Sequence, residues 1–385
     1  MPARCGDATG TRPARGAPAP VTTPGTPPPT PTTFAVVGSG WRSEFFLRLA
    51  RAAPERLRAV GVVTRSAASG QGITDRWSVP TVRTVEELLR GDRPDFVVAS
   101  VPWAQMPVTV RELHAAGIAT LAETPPAPDL DGLRSLWADV GAGGRVQVAE
   151  QYLLMPGHAA RLALVRAGVI GEPTSVQLSS THMYHAVSLI RGLLGVGTDE
   201  VVVNARSFTA PLLDPLSSAG WDPAATPQPR STVLATLDFG GRSALYDFTD
   251  NQWWNPLRAR RIVVRGTTGE IVDDAVTRMV DPTSPVTSPL SYRRRGVDMN
   301  LEGVDLDTVS FDGQVVYRNA WAGTRMSEDD VAVAQILADT GAWARGEGPE
   351  PYPLAEACQD HAIALAVGTS ATTGADVRVT KEAWA

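Results

Sequence analysis

The chain has 385 residues, of which 43% are hydrophobic and 20% charged, so we expect a globular protein of two domains with a sizeable core. Its net charge is −6 at pH 7 and no basic block stands out, which leaves binding to nucleic acid or to an anionic membrane without an electrostatic basis. The two cysteines, Cys5 and Cys358, cannot build a disulfide framework, so a reducing cytoplasm is the simplest compartment. No apolar run approaches the ~20 residues that span a bilayer.

Residues 1–33 consist mainly of Pro, Thr, Ala, Gly and Arg and contain almost no branched apolar or aromatic side chains. A segment of this composition buries too little apolar surface to offset the entropy of ordering it, so we predict a disordered tail. The segment also lacks the apolar stretch of a secretory signal. The ordered chain is therefore predicted to begin at Phe34.

The first predicted strand, residues 34–37, leads directly into a glycine-containing turn and then into a helical pattern. Strand, tight turn and helix in this order are typical of a dinucleotide-binding βαβ unit. Gly38 permits the sharp turn, and Gly40, which has no Cβ, lets a diphosphate approach the amide groups at the helix start. Ser43 replaces the third glycine and is small enough for close helix–strand packing. The predicted cofactor residues of this turn are Gly38, Ser39, Gly40, Trp41, Arg42 and Ser43.

A second predicted strand, residues 57–63, is followed by Thr64-Arg65-Ser66. In a dinucleotide-binding unit a carboxylate at this place accepts hydrogen bonds from the adenosine ribose, whereas an arginine pairs with a 2′-phosphate. This strand end carries hydroxyl groups and a guanidinium but no carboxylate, which favours a phosphate monoester. We therefore predict that Thr64, Arg65 and Ser66 bind NADP(H), with NAD(H) as the other possibility.

Strand and helix patterns alternate up to residue 150, which indicates a doubly wound parallel sheet across residues 34–150. The carboxyl ends of parallel strands meet at one rim, where ligands bind. The residues that end or follow the later strands should therefore line one crevice together with the glycine turn. These residues are Ser100, Pro102, Trp103, Glu123, Thr124, Pro125, Glu150 and Gln151.

The pattern changes after Gln151, and we assign residues 151–385 to a second, α+β domain. Strands follow one another without intervening helices, with Gly240-Gly241 as a hairpin turn, and this indicates an open, mostly antiparallel sheet. Residues 275–300 are rich in Pro, Ser and Arg and are predicted to form a loop. Helices are predicted at residues 159–167, 183–194, 327–343 and 354–369.

The ordered chain, residues 34–385, resembles the Gfo/Idh/MocA oxidoreductase family in three motifs that occur in the family's order. They are the glycine turn, Glu123-Thr124-Pro125 in place of Glu-Lys-Pro, and a segment from His185 to Gly195 that is similar to the family's His-x-x-Asp-x-x-Arg-x-Leu-Leu-Gly helix. The resemblance implies a Rossmann domain and an open-faced α/β domain whose sheet joins subunits into dimers or tetramers. It also implies NAD(P) in the crevice and a small polyhydroxylated substrate such as a sugar or cyclitol.

The departures from the family pattern concern the groups that move protons. The family's lysine is Thr124 here, and the aspartate four residues before its helix histidine is Thr181. His185 remains, and because imidazole titrates near neutral pH, it is the predicted acid or base. His182 lies three residues earlier, would share its face in a continuous helix, and is the second candidate.

Other residues near these motifs are predicted to hold the substrate. Thr124 is no general base at neutral pH, but its hydroxyl group can hold a substrate oxygen, and its bond to Pro125 is predicted to be cis. Tyr152, Tyr184 and Thr181 are the predicted substrate-binding residues. The cysteines sit in no metal-binding spacing, and we predict no metal site.

These observations favour an NADP-preferring oxidoreductase acting on a hydroxyl or ketone of a sugar or cyclitol. Two alternatives stay open at the level of the sequence. In one, a tightly held NAD(P) oxidises a ring hydroxyl only transiently, so that a neighbouring substituent is eliminated without net redox change. In the other, the replacement of the lysine and aspartate leaves a cofactor-binding regulator without activity.

Overall fold

The computed structural model describes residues 30–141, 143–301 and 303–385. Residues 1–29 of the predicted tail lie outside these ranges, and the first strand begins at Thr32 rather than at Phe34. Among the described residues, no helix has both the length and the apolar character needed to cross a bilayer.

The N-terminal part forms a six-stranded parallel sheet with helices between the strands, as predicted. The strand order β3-β2-β1-β4-β5-β6 is that of a doubly wound dinucleotide-binding sheet. Its strands are β1 (Thr32–Val37), β2 (Leu57–Val63), β3 (Thr81–Val82), β4 (Phe96–Ala99), β5 (Thr120–Ala122) and β6 (Val146–Val148). Its helices are α1 (Trp41–Ala52), α2 (Ala67–Trp77), α3 (Val85–Leu89), α4 (Met106–Ala115) and α5 (Leu130–Val140).

The central strands are continuous apolar runs because both faces of the sheet are covered. All four residues of β4 are fully buried, as are Phe34, Ala35 and Val36 of β1. Each large side chain buried in this way contributes roughly 1.5–3 kcal/mol to stability. The sheet is therefore a rigid base for the turns that follow its strands.

Within the described residues, the C-terminal part consists of a large sheet, a three-stranded sheet, a short strand pair and four α-helices. The helices are α6 (Pro156–Arg166), α7 (Met183–Leu194), α8 (Glu328–Ala344) and α9 (Leu354–Thr373). The large sheet contains β7 (Pro173–Ser179), β8 (Val201–Leu212), β11 (Gln228–Asp238), β12 (Ser243–Thr249), β13 (Arg261–Gly266), β14 (Gly269–Val272), β15 (Ala275–Asp281), β16 (Ser284–Pro289) and β20 (Val377–Val379). A short pair is formed by β9 (Leu216–Ser217) and β10 (Gly220–Trp221), and a three-stranded sheet by β17 (Ser291–Arg295), β18 (Asp305–Phe311) and β19 (Gln314–Arg318).

The nine strands of the large sheet follow the order β16-β15-β14-β13-β7-β12-β11-β8-β20. Only β7 and β12 pair in parallel, which confirms a mostly antiparallel sheet. The predicted Gly240-Gly241 turn joins β11 to β12, and both glycines have positive φ angles. Helices α7 and α9 pack against one face of this sheet and against each other.

The prediction of a loop at residues 275–300 was wrong, because this segment contains β15, β16 and β17. Pro285 and Pro289, which suggested a loop, lie in β16, the outermost strand of the large sheet. An edge strand tolerates proline because one of its sides has no ladder to complete.

Helix α8 connects the two parts of the chain. Although it comes late in the sequence, it packs on the first sheet, where Val331 and Leu337 are buried together with Phe34 and Trp321. A capping box between Ser327 and Asp330 fixes its start. The first turn of α8 thereby stands at the crevice between the two sheets.

Candidate active site

The ends of all six parallel strands open into one cavity of about 1370 Å³, and residues of the second domain form its other side. Lining residues come from the turn after β1, from the ends of β2, β3, β4, β5 and β6, and from α6, α7 and the segment before β13. The cavity is large enough for a dinucleotide together with a small substrate.

The glycine turn is built as its sequence suggests. Gly38 has a φ of +129°, and a Cβ there would lie 2.0 Å from the Ser100 carbonyl oxygen, so only glycine is accommodated. A Cβ at Gly40 would meet no heavy atom within 4 Å, which leaves free space at the start of α1. Ser43 is fully buried and donates to the Ser100 hydroxyl at 3.1 Å, so it joins α1 to the end of β4. The turn therefore offers a cradle that suits the diphosphate of a dinucleotide.

The end of β2 holds two arginines. Arg65 is exposed and lines the cavity, and Arg83, which follows β3, lines it as well. The guanidinium of Arg83 donates to the carbonyls of Thr64 and Ser66 at 3.0 and 2.7 Å and also to the Thr64 hydroxyl. A Cβ at Gly70 would come within 2.4 Å of this guanidinium, so the glycine in α2 makes room for it. Neither arginine forms an ion pair among the described residues.

A polar chain crosses the crevice at its narrow part. Arg42 donates to Glu123 at 2.6 Å and to the side-chain oxygen of Gln151 at 3.4 Å. Gln151 in turn donates to Asp329 in the first turn of α8 at 3.2 Å. This chain of contacts ties the glycine turn to the ends of β5 and β6 and to the second half of the protein.

At the floor of the cavity, His185 and Glu150 form a buried pair. Nδ1 of His185 lies 2.5 Å from Oε2 of Glu150, and the exposed fractions of the two side chains are 11% and 2%. The other oxygen of Glu150 accepts the backbone N–H of Tyr152 at 3.1 Å. A carboxylate that accepts the Nδ1 proton leaves Nε2 of the imidazole as a proton acceptor. Nε2 has no hydrogen-bond partner within the described ranges, and His185 lines the cavity.

Aromatic rings surround this imidazole. The ring centroids of Tyr152 and Tyr184 both lie 4.5 Å from that of His185, and His182 lies 5.2 Å away. Burial raises the pKa of both tyrosines, so each phenol keeps its proton. The Thr124 hydroxyl opposes this increase in the pKa of Tyr184 as its hydrogen-bond partner.

The histidines near the cavity differ in their surroundings. Burial, followed by the charge of His185, lowers the pKa of His182 to about 3. Burial, followed by the charges of Arg161 and Arg260, also lowers the pKa of His158 to about 3. Both rings are therefore neutral at physiological pH and act there as hydrogen-bonding groups rather than as charges.

One wall of the cavity carries buried polar atoms that lack partners in the part of the chain that the structure describes. They are Nδ1 of His158, Oγ of Ser180 and Nδ1 of His182. Ser180, His182 and His158 line the cavity, and the Trp253 ring stands 4.6 Å from His182. A buried polar atom without a partner is costly, so this wall is suited to a ligand with several hydroxyl groups.

Most of the sequence-predicted site residues reach the cavity. Those that line it are Gly38, Ser39, Gly40, Trp41, Arg42, Thr64, Arg65, Ser100, Pro102, Trp103, Glu123, Thr124, Gln151, Tyr152, His182, Tyr184 and His185. Five others do not: Ser43, Ser66, Pro125, Glu150 and Thr181. The bond between Thr124 and Pro125 is cis, as predicted.

His182 does not share a helix with His185, because α7 begins at Met183. His182 is the extended residue before the helix, with φ −103° and ψ 153°. The ring centroids of His182 and His185 nevertheless lie 5.2 Å apart. The extended backbone at His182, rather than helical spacing, brings the two rings together.

Several residues at the site carried no assigned role in the sequence. Glu150 was placed at the rim only as the end of a strand, and Arg83, His158, Ser180 and Asp329 were not considered. Gly70 in α2 could have indicated a side chain packed against this helix, because a glycine inside a helix often marks a close contact. That side chain is Arg83. Within the described ranges, no group of three or more His, Cys, Asp or Glu side chains is arranged to hold a metal ion.

Comparison with known proteins agrees with this architecture. Residues 32–150 match the Gfo/Idh/MocA family, described as an oxidoreductase family with an NAD-binding Rossmann fold. A search of curated protein sequences finds no match.

Solved structures of similar fold cover nearly the whole chain. An oxidoreductase from Agrobacterium radiobacter, in complex with NAD+, L-tartaric acid and magnesium, has a TM-score of 0.65 at 16% identity and covers 90% of this chain and 98% of its own. A myo-inositol dehydrogenase from Corynebacterium glutamicum has a TM-score of 0.62 at 17% identity, with coverages of 91% and 100%. A levoglucosan dehydrogenase in complex with NADH and levoglucosan has a TM-score of 0.65 at 15% identity, with coverages of 91% and 100%. At these identities the likeness establishes the fold.

Proposed function

Residues 32–150 match the Gfo/Idh/MocA oxidoreductase family, and from this premise we propose that the chain belongs to that family and oxidises or reduces a hydroxyl or ketone carbon of a sugar, cyclitol or similar polyhydroxylated compound. The observation that carries the proposal is the His185–Glu150 pair at the floor of the cavity that begins at the glycine turn. Two of the structurally similar proteins are dehydrogenases of myo-inositol and of levoglucosan, which are compounds of this class.

In the proposed reaction, His185 handles the proton of the substrate oxygen. When bound, a nicotinamide ring supplies or accepts the hydride at the reacting carbon. In the oxidative direction, Nε2 of His185 takes the hydroxyl proton, and Glu150 holds the ring by accepting the Nδ1 proton and stabilises the imidazolium that forms. In the reductive direction, the same nitrogen returns the proton.

Hydroxyl groups take the places of the family's lysine and aspartate. Thr124 cannot act as a general base at neutral pH, but it contacts the Tyr184 phenol, which lies beside His185 and keeps its proton. Tyr152 covers the other side of the imidazole. We assign Thr124, Tyr152 and Tyr184 to holding the substrate oxygen and His182 to the neighbouring wall.

The direct test is an assay of nicotinamide absorbance at 340 nm over a panel of polyols that includes myo-inositol and levoglucosan, with His185→Ala and Glu150→Gln as variants. We expect turnover by the unmodified protein and a loss of about 10²–10⁴-fold in kcat for His185→Ala. Unchanged turnover in that variant, with cofactor binding intact, would remove the acid–base assignment. Cofactor binding without turnover over the whole panel would favour the regulator, and loss of a substituent without net absorbance change would favour the elimination reaction.

We also propose that the cofactor is NADP(H). Arg65 and Arg83 place two guanidinium groups without ion-pair partners in the described residues at the end of β2, where the adenosine ribose binds in such folds. Affinities for NADP+ and NAD+ measured by calorimetry before and after Arg65→Ala test this. The ratio of the two affinities should fall at least about tenfold, and an unchanged ratio would refute the pairing with phosphate.

The open face of the large sheet is our proposed contact between subunits. Phe208, Leu234 and Leu245 are 54%, 39% and 40% exposed on neighbouring strands β8, β11 and β12, opposite the face that α7 and α9 cover. Light scattering should report a dimer or tetramer, and Leu234→Arg should reduce its mass to that of a smaller species. A monomeric unmodified protein would contradict the proposal.

A further inference from the structure

A small second cavity borders the carboxyl group of Glu150. Its volume is about 10 Å³, near that of a single water molecule, and its walls come from the end of β5, from α7 and from α9. Asp360 and His361 of α9 line it together with Glu150 and Tyr184. Two buried carboxyl groups, Glu150 and Asp360, therefore border the same narrow space.

Asp360 is held by strong partners. Nη1 of Arg191 lies 2.5 Å from its Oδ1, and the side chains of both residues are only 3% exposed. The Tyr352 hydroxyl donates to the other oxygen of Asp360. Arg191 also contacts Glu356 at 2.6 Å, on the more exposed side of the same guanidinium. Asp360 thus belongs to a buried array of charges at the small cavity that Glu150 also lines.

The two carboxyl groups affect each other electrostatically. Burial raises the pKa of Asp360 to about 6 although Arg191 opposes the rise, and the charge of Glu150 adds to it. Because such coupling is mutual, the charge of Asp360 acts on Glu150 and on the imidazole that Glu150 holds. Both side chains are buried and line the same water-sized cavity, so solvent screens the interaction little.

Other titratable groups also face this array. Those next to Glu150 are His185, Tyr152, Tyr184 and Tyr352, and those next to Asp360 are Arg191, Tyr352, Glu356 and Cys358. The tyrosines and the thiol keep their protons, because burial raises their pKa values. His361 lines the small cavity, and burial lowers its pKa even though the Pro128 carbonyl opposes the change, so this ring stays neutral at physiological pH. The groups of this array that count as charges are therefore Asp360, Arg191, Glu356 and the Glu150–His185 pair.

We propose that Asp360 is a positioning residue for the reaction, whose negative charge acts across the small cavity on the Glu150–His185 pair and determines the pH at which His185 takes up a proton. The inference rests on the proposed role of His185 and extends it to a residue that does not touch the large cavity. A negative charge nearby favours the imidazolium, so removing it makes the ring release its proton at lower pH.

The test compares Asp360→Asn with Glu356→Gln. Both variants remove one carboxylate partner of Arg191, but Glu356 is not among the residues that line the small cavity. The chain contains five histidines, so ¹⁵N-histidine spectra with His185→Gln as an assignment control follow the ring directly, without turnover. We expect the titration midpoint of the His185 signals to move down by about half a pH unit or more in Asp360→Asn and to stay nearly unchanged in Glu356→Gln.

If Asp360→Asn does not fold, Tyr352→Phe is the second variant for the same spectra. It keeps the ring but removes the hydroxyl that donates to Asp360, so Asp360 holds its proton to higher pH and the His185 signals shift in the same direction. A His185 titration that is unchanged in a folded Asp360→Asn or Tyr352→Phe protein, or that shifts equally in Glu356→Gln, would overturn the proposal.

A second readout ties the array to activity. The pH profile of kcat should move in parallel with the spectra in Asp360→Asn, with little change in KM. If the protein has no dehydrogenase activity, the proposed reaction fails while the spectra still decide the coupling between Asp360 and His185.

Discussion

The two glycines of the turn after β1 have different physical roles, and two alanine substitutions separate them. At Gly38, alanine would have to adopt a φ of +129°, and its Cβ would lie 2.0 Å from the Ser100 oxygen. Ordinary contact begins at 3.4 Å, so the turn has to move away from β4 by about 1.4 Å, the difference of these distances. The strained φ costs about 1–3 kcal/mol and the displaced packing a similar amount. We expect Gly38→Ala to lose roughly 2–6 kcal/mol of unfolding free energy.

Gly40→Ala is the matched control from the same turn. Gly40 is the N-cap of α1 with φ −79° and ψ 176°, a conformation open to alanine, and its Cβ would point into free space. Replacing glycine at an N-cap costs at most about 1 kcal/mol, so the variant should fold normally. If that free space receives the diphosphate, however, the methyl group excludes it, and affinity for NADP+ or NAD+ should fall at least about tenfold, which corresponds to ~1.4 kcal/mol.

The assays are thermal unfolding followed by circular dichroism, and calorimetric titration with each cofactor. Compared with the unmodified protein, Gly38→Ala should be less stable and Gly40→Ala about equally stable. The affinity for the cofactor should fall in both variants. Cofactor binding of normal strength in Gly40→Ala would show that the turn does not receive the diphosphate. A Gly38→Ala protein as stable as the unmodified one would refute the steric argument.

Three further predictions concern other parts of the site. Glu150→Gln should lower kcat about tenfold or more with little change in KM, as measured by steady-state kinetics, because the amide no longer holds the His185 ring as an ionised acceptor. The pKa of His182 is lowered from 6.5 to about 3, so protonation favours the unfolded chain and the protein loses stability as the pH falls below 6.5. Denaturant unfolding should therefore show that the loss of stability between pH 7 and pH 5 is roughly 1–2 kcal/mol smaller in His182→Gln than in the unmodified protein. In Gly70→Ala, the new methyl group displaces the Arg83 guanidinium, so calorimetry should find weaker binding of NADP+ and nearly unchanged binding of NAD+, whereas equal changes for both would contradict a phosphate contact.

The part of the site that lies on the first sheet could be predicted because its topology leaves few choices. An alternation of strands and helices requires parallel strands, and parallel strands bring their carboxyl ends to one rim. Thr64, Glu123 and Gln151 come from three different strand ends and line one cavity for this reason alone. The helix from Met183 to Gly195 was likewise readable, since Gly195 ends it with a φ of +65°.

The contacts between the two halves of the chain could not be predicted, because they depend on how the second domain sits on the first. Glu150 and His185 are 35 residues apart, and no local pattern states that one ends a strand where the other begins a helix. Residues 275–300 failed for a different reason. Prolines exclude a central strand but not an edge strand. Whether a strand lies at the edge depends on the order of all strands in the sheet, which the local sequence does not show.

Thr124 and Thr181, which the resemblance aligns with the family's lysine and aspartate, both lie beside tyrosines. Thr124 contacts the Tyr184 phenol and Thr181 the Tyr152 phenol, and both phenols keep their protons. The carboxylate in contact with the His185 ring is that of Glu150, and Asp360 lines the small cavity that Glu150 also lines. In the proposed reaction, proton transfer then depends on a single imidazole, and the charges behind it, rather than beside the substrate, adjust the pH at which it works.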